Sequence, residues 1–201
     1  MAILSIFDLD GVVIDNREFE ANVHDILVSE LAIRRSCTRE AARELWEAQL
    51  QSSFGNVRWA DYAFHCEALA LGEVYREAHY ASSFLLMMNP DAQRCLEEAA
   101  MQGPLWLATD ATGWAWRLKL ESLGVPFDVF EETFDLDRCG VPKHHQQYWK
   151  IVEERREQRA LTVRYFDDRP DCLAAAAAVL QDTSTNLVIG GDLVGAFSAP
   201  V

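Results

Sequence analysis

The apolar run Ile3-Leu4-Ser5-Ile6-Phe7, halted by Asp8-Leu9-Asp10-Gly11, constrains this chain more than any other stretch. It is too short for a helix and lacks the alternation of a half-exposed strand. Such a run reads as a strand buried on both faces, which is the situation of a central strand in a parallel sheet covered by helices. Comparable runs follow at 105–108, before Thr109-Asp110; at 161–166, before Asp167-Asp168; and at 186–189, before Gly190-Gly191. A weaker strand is expected within 127–134, where acidic residues interrupt the pattern. Helical patterns lie between these runs, at 91–101, 112–123, 144–159 and 170–181. Gly124 supplies a stop for the second, and Pro170 suits the first turn of the last. Strand and helix in alternation predict an α/β fold built on a Rossmann-like parallel sheet.

Residues 16–88 break the alternation. They hold no convincing strand and show helix-like stretches at 18–32, 38–51 and 59–71. The expected organisation is therefore a core formed by 1–15 and 89–201, with a small all-helical domain over 16–88 inserted after the first strand. The hinges are expected near 14–16 and 88–91.

Charge narrows the partners. The formal net charge is −14 over 201 residues, so the surface repels nucleic-acid phosphates and anionic membranes, and neither is expected as a partner. A phosphorylated substrate would need local positive charge to enter such a field. Lys119, Lys143 and Lys150 are the lysines; the other basic residues are arginines, so the position of each lysine carries information. The five cysteines, Cys37, Cys66, Cys95, Cys139 and Cys172, are scattered and form no CxxC pair. That usage reads as a reduced, cytoplasmic chain. The first apolar run is too short and too acidic at its end for a signal peptide or a membrane span.

The polar groups at the strand ends carry the chemical argument. In open parallel sheets, ligands bind beyond the carboxyl ends of the strands. Asp8 and Asp10, Thr109, and Asp167 with Asp168 all fall at such ends, and Lys143 falls in the loop before a helix. Asp8 and Asp10 stand two apart, which in extended chain puts both carboxylates on one side, where a cation relieves their repulsion. Magnesium suits an all-oxygen acidic set, and Asp167 and Asp168 would complete it. Gly11 allows the backbone to turn away sharply. Each of these residues alone is unremarkable as a turn or cap; their order, spacing and strand context together make the case.

These segments resemble the four motifs of the haloacid dehalogenase (HAD) superfamily: FDLDGVVID the first, LWLATD the second, GVPK the third and YFDDRPD the fourth. The likeness spans the chain, and the helical insertion corresponds to a C1-type cap. The resemblance implies a magnesium-dependent phosphatase acting on a small phosphorylated metabolite. Asp8 would be the nucleophile that becomes an aspartyl-phosphate, and Asp10 the acid and base, its main-chain carbonyl also on the metal. Thr109, Asp110 and Lys143 would hold the phosphoryl group, with Asp8, Asp10, Asp167 and Asp168 as the metal set and Asp168 the principal distal ligand. Two positions depart from the common pattern: His144 follows Lys143 where many members have Pro, and Cys172 stands where many have Asp or Asn.

Within the superfamily, dehalogenases resemble one another in carrying an aromatic residue where this chain has Asp10, which favours phosphoryl chemistry here. Phosphonate cleavage uses a cap lysine, and 16–88 contains none. A phosphomutase of the same fold and a catalytically inactive HAD-like binding protein stay open as alternatives, as does the choice between monomer and homodimer. In the insert, Arg17, Arg34, Arg35, Arg39, Arg43, Arg58 and Arg76 are the cations, each expected in solvent or beside an acidic neighbour. Trp46, Trp59, Tyr62, Phe64 and His65 are expected in its core. Trp114 or Trp116 is expected near the site mouth, and His144 and His145 at a helix start.

Overall fold

The computed structural model describes residues 3–156 and 162–197. In chain order these residues form β1 (Ile3–Phe7), β2 (Ile14–Asp15), α1 (Arg17–Arg35), α2 (Arg39–Ser52), α3 (Tyr62–Ala68), α4 (Val74–Ser82), β3 (Met87–Met88), α5 (Ala92–Ala100), β4 (Leu105–Ala108), α6 (Gly113–Ser122), β5 (Glu132–Phe134), α7 (Leu136–Cys139), α8 (Gln146–Arg156), β6 (Thr162–Asp167), α9 (Pro170–Ala177), β7 (Thr183–Leu187) and α10 (Leu193–Phe197). Short 3-10 turns occupy Val57–Ala60, Ser83–Leu85 and Phe127–Val129.

Five strands form one parallel sheet in the order β5-β4-β1-β6-β7. The order reverses on either side of β1, which is flanked by β4 and β6. That reversal opens a crevice at the carboxyl end of β1, the position from which doubly wound sheets bind ligands. Leu4, Ile6 and Phe7 are fully buried, as a central strand covered on both faces requires. Phe7 and its register partner Phe166 stack with ring centroids 4.8 Å apart. Trp106, Phe134, Trp149 and Tyr165 share one core cluster with Leu4 and Ile6. Each large apolar side chain so buried contributes about 1.5–3 kcal/mol relative to exposure.

The expected strands at 105–108 and 161–166 match β4 and β6, apart from residue 161, which lies outside the described residues. The weak 127–134 segment splits into a 3-10 turn and the three-residue β5. The last strand begins earlier than 186–189: β7 covers Thr183–Leu187, and Val188 follows it. The displacement has a simple cause. β7 is an edge strand, where one face is wet, so β-branched Thr183 and Thr185 serve as well as apolar residues. The helix expected over 144–159 begins at Gln146; residues 157–159 lie outside those described.

The chain divides into two compact units, Met1–Asp15 with Met87–Val201, and Asn16–Leu86. The second is all helical. Among its described elements, α1 is 19 residues long and buries Phe19, Val23, Leu27, Val28 and Leu31 along one stripe. Thr38 caps α2 and Asp61 caps α3, each side chain accepting a main-chain N–H of the first turn. α4 was not evident in the sequence pattern. In the first unit, β2 and β3 pair antiparallel, so the chain leaves the sheet and returns to it through adjacent segments. Asn89, buried there, donates its side-chain N–H to Val12 C=O and its main-chain N–H to Val13 C=O.

Trp46 and His65 are buried, as expected, but Trp59 and Phe64 are 41% and 37% exposed. Trp59 lies in the 3-10 turn and Phe64 in the seven-residue α3, elements too short for helical spacing to set one long inward face. Arg34, Arg39, Arg43, Arg58 and Arg76 are paired with Glu30, Asp25, Asp25, Asp61 and Glu73 respectively.

Candidate active site

The parallel ladder itself delivers the site residues. Asp8 N–H donates to Phe166 C=O at 2.9 Å, and Thr109 N–H donates to Phe134 C=O at 2.9 Å. Each residue is thereby fixed one step past the end of its strand. Asp167 ends β6, with its carbonyl accepting from Val188 N–H at 3.0 Å.

Lys143 links them. Its buried ammonium lies 2.7 Å from Asp8 Oδ1 and 2.8 Å from Asp167 Oδ2. The main chain around it is tied down on two sides: its N–H donates to Asp110 Oδ1 at 2.7 Å, and its carbonyl accepts from Trp149 Nε1 at 2.6 Å. Burial alone would lower the ammonium's pKa, but Asp167 and Asp8, joined by Asp110, hold it well above the ordinary lysine value. Burial pushes the Asp8 carboxyl up; Lys143 opposes that shift, and Asp167 adds to it.

Asp8, Asp167 and Asp168 each offer a carboxylate oxygen within 4.8 Å of the other two. An all-oxygen set of this size fits a hard divalent cation such as magnesium. Asp167 is the most committed of the three. Its Oδ2 accepts from both Lys143 Nζ and Tyr165 Oη, and its Oδ1 accepts from Arg169 N–H. Asp168 is the exposed member of the three; desolvation of its carboxyl and the neighbouring Asp167 raise its pKa, the arrangement expected where a cation would relieve the repulsion. Gly11 makes room for it: a Cβ there would overlap the Asp168 carboxylate, and its φ of +79° is a left-handed conformation that favours glycine.

The carboxylate of Asp10 is not part of that cluster. It meets Lys119 instead, with Nζ 2.8 Å from Oδ1 and 2.9 Å from Oδ2. The two aspartates of the first motif therefore have a lysine each rather than one shared cation. The reason is local: the segment is no longer extended after Phe7, since Leu9 and Gly11–Val13 are turns and Gly11 is left-handed.

The carboxylate of Asp110 is likewise occupied by protein, accepting from Lys143 N–H and from Arg169 Nη1 at 3.0 Å. Arg169 also donates to Asp171 at 2.9 Å. Asp110 thus braces the second, third and fourth motifs against one another. Thr109 is buried, and its Oγ1 accepts from Ala111 N–H at 3.1 Å. Trp116 is also buried, donating its indole N–H to Asp135 at 2.9 Å, so it braces the loop after β5. His144 and His145 form the turn just before α8.

Lys119, Tyr165 and Arg169 are the neighbours that the sequence reading did not single out. Lys119 left a trace, as one of three lysines in the chain and set between Leu118 and Leu120. Tyr165 and Arg169 left none beyond adjacency to the two aspartates.

A parallel sheet with an acidic cluster and a buried lysine at its switch point defines a doubly wound α/β core, here with a helical insertion after its first strand. The chain belongs to the haloacid dehalogenase-like hydrolases, the family that matches residues 4–179. No curated protein sequence matches it. Among solved structures, the HAD phosphatase from Thermococcus onnurineus superposes with a TM-score of 0.79 at 19% identity, covering 91% of this chain and 85% of its own. The putative HAD-hydrolase YfnB from Bacillus subtilis, bound to magnesium, gives 0.65 at 16% identity, covering 90% and 87%. The L-2-haloacid dehalogenase from Xanthobacter autotrophicus gives 0.57 at 17% identity, covering 93% and 77%.

Proposed function

We propose that the protein is a magnesium-dependent phosphatase that hydrolyses a small phosphomonoester through an aspartyl-phosphate on Asp8. The observation that carries this reading is the Lys143 ammonium held between Asp8 and Asp167 at 2.7 and 2.8 Å, at the carboxyl edge of the sheet. Phosphoryl transfer needs an in-line nucleophile and neutralisation of the phosphoryl oxygens, and little else from the protein.

A carboxylate oxygen of Asp8 attacks phosphorus, and the bond from phosphorus to the ester oxygen breaks. The leaving oxygen takes a proton from Asp10 and departs as an alcohol. Water then attacks the phosphorus of the aspartyl-phosphate and gives its proton to Asp10, and Asp8 is released as a carboxylate with inorganic phosphate. Lys143 and the Thr109 hydroxyl hold phosphoryl oxygens throughout. Asp110 contributes through its main-chain N–H, because its carboxylate serves Lys143 and Arg169. Asp8, Asp168 and the Asp10 carbonyl would hold magnesium, with Asp167 orienting Lys143 and standing behind them; the bound ion would supply positive charge to nucleophile and phosphate. YfnB with its magnesium supports this choice of metal. Asp10 favours phosphatase over dehalogenase chemistry, since halide departure needs no proton. Substrate choice falls to the helical insert.

The test is Asp8→Asn with an aryl phosphate as substrate. Turnover should disappear while the circular dichroism spectrum and unfolding midpoint are kept. Turnover at the wild-type rate would remove Asp8 as nucleophile.

A further inference from the structure

Lys119 is 3% exposed, lies on α6 between the buried Leu118 and Leu120, and donates to both oxygens of Asp10. A buried lysine is costly unless paired, and a leucine at this position would serve the helix better. Asp10 is 30% exposed, so it could be solvated without a partner. The pair is thus hard to explain as stabilisation: the cost falls on Lys119, and the group that gains from it is Asp10. What Asp10 gains is a fixed carboxylate plane, since two contacts of 2.8 and 2.9 Å restrain its side-chain torsions.

We infer that Lys119 is a positioning residue for the acid–base step, holding the Asp10 carboxylate in the orientation that accepts the proton of the attacking water. The inference rests on the phosphatase reading above. In that second half-reaction the water oxygen bonds to phosphorus, the bond from phosphorus to Asp8 breaks, and the water proton passes to Asp10. A carboxylate free to rotate would meet that proton less often. Formation of the aspartyl-phosphate from an activated aryl ester depends far less on Asp10, because nitrophenolate leaves without a proton.

The experiment is rapid-mixing kinetics with 4-nitrophenyl phosphate and magnesium on Lys119→Met, Lys119→Arg, Asp10→Asn and the Lys119→Met/Asp10→Asn double variant. Lys119→Met should release one equivalent of nitrophenolate rapidly, then turn over about 10²-fold more slowly than wild type, the scale of a lost acid–base contribution. Lys119→Arg should restore part of that loss, because it keeps the charge but not the geometry. The double variant should be no slower than Asp10→Asn, since the proposed role of Lys119 runs through Asp10. Wild-type turnover in Lys119→Met, burst and steady state slowed equally, or losses that multiply in the double variant would each overturn the assignment. Should Lys119→Met not fold, Lys119→Arg decides: a burst followed by slowed turnover supports the role, and wild-type kinetics overturn it. A wild-type protein that releases no nitrophenolate overturns the phosphatase reading and this inference with it, a result distinct from all the others.

Discussion

Gly11 and Asp168 occupy one another's space: the carboxylate of Asp168 sits where a Cβ on Gly11 would be. Two motifs separated by most of the chain are thereby fitted together by the absence of a side chain. Glycine favours the left-handed φ of +79° in the turn that ends the first motif and leaves the space that the fourth motif takes up.

Gly11→Ala should therefore cost activity out of proportion to stability. The strained φ costs about 1–3 kcal/mol of folding free energy. Displacing Asp168 by even about 1 Å should lower kcat on the order of 10²-fold. Urea unfolding and steady-state kinetics on the same preparation separate the two, and an unchanged kcat would show that Asp168 needs no fixed place.

Lys143→Met should destabilise the fold as well as stop catalysis. It leaves Asp8 and Asp167 buried without their shared cation, a loss of about 3–5 kcal/mol for breaking a buried pair from one side. The sign of the pH dependence follows from the raised lysine pKa. The stabilisation is fully present below the ordinary lysine value and is lost only as pH climbs through the raised one. Urea unfolding of wild type and variant at one neutral pH, where the lysine is charged, measures the difference. A variant as stable as wild type would mean the carboxylates find other partners.

Magnesium should raise the melting temperature. A ligand at a hundred times its dissociation constant adds about 2.7 kcal/mol, and a chelator should remove both that gain and the activity. Asp168→Asn should abolish the thermal response, because the cluster loses the carboxylate least committed to protein partners. A full magnesium response in Asp168→Asn would move the metal elsewhere.

The cysteines should divide into one and four under alkylation. All five are free, but Cys66, Cys95, Cys139 and Cys172 are buried while Cys37 is half-buried. Burial pushes the thiols of Cys66 and Cys139 up to about 12 and also raises Cys95 and Cys172. Iodoacetamide at a pH of about 8, near the value of a free thiol, should label Cys37 in the folded protein and all five after denaturation, as read by mass spectrometry. Labelling of Cys172 in the native protein would show that the fourth-motif helix opens.

Much of this arrangement is legible in the chain. Three apolar runs ending at Asp8, Thr109 and Asp167 point to a parallel sheet, because strands buried on both faces dispense with alternation. The carboxylates and Thr109 at their ends follow from the same pattern, since a buried strand must release its polar residues where it leaves the core. The edge strand β7 was misplaced by three residues because a strand with one wet face carries no apolar signature.

What tertiary structure alone decided is which charge meets which. Sequence spacing put Asp8 and Asp10 together as one pair awaiting one cation. The turn that begins at Leu9 separates them, so that Lys143, which follows Asp10 by more than a hundred residues, takes Asp8, and Lys119 from the helix after β4 takes Asp10. The Asp110 carboxylate braces three loops, a role its place after β4 did not announce. Periodicity records how each residue relates to the core along its own element. Ion pairing depends on distances of about 3 Å between elements that the chain brings together only when the sheet closes.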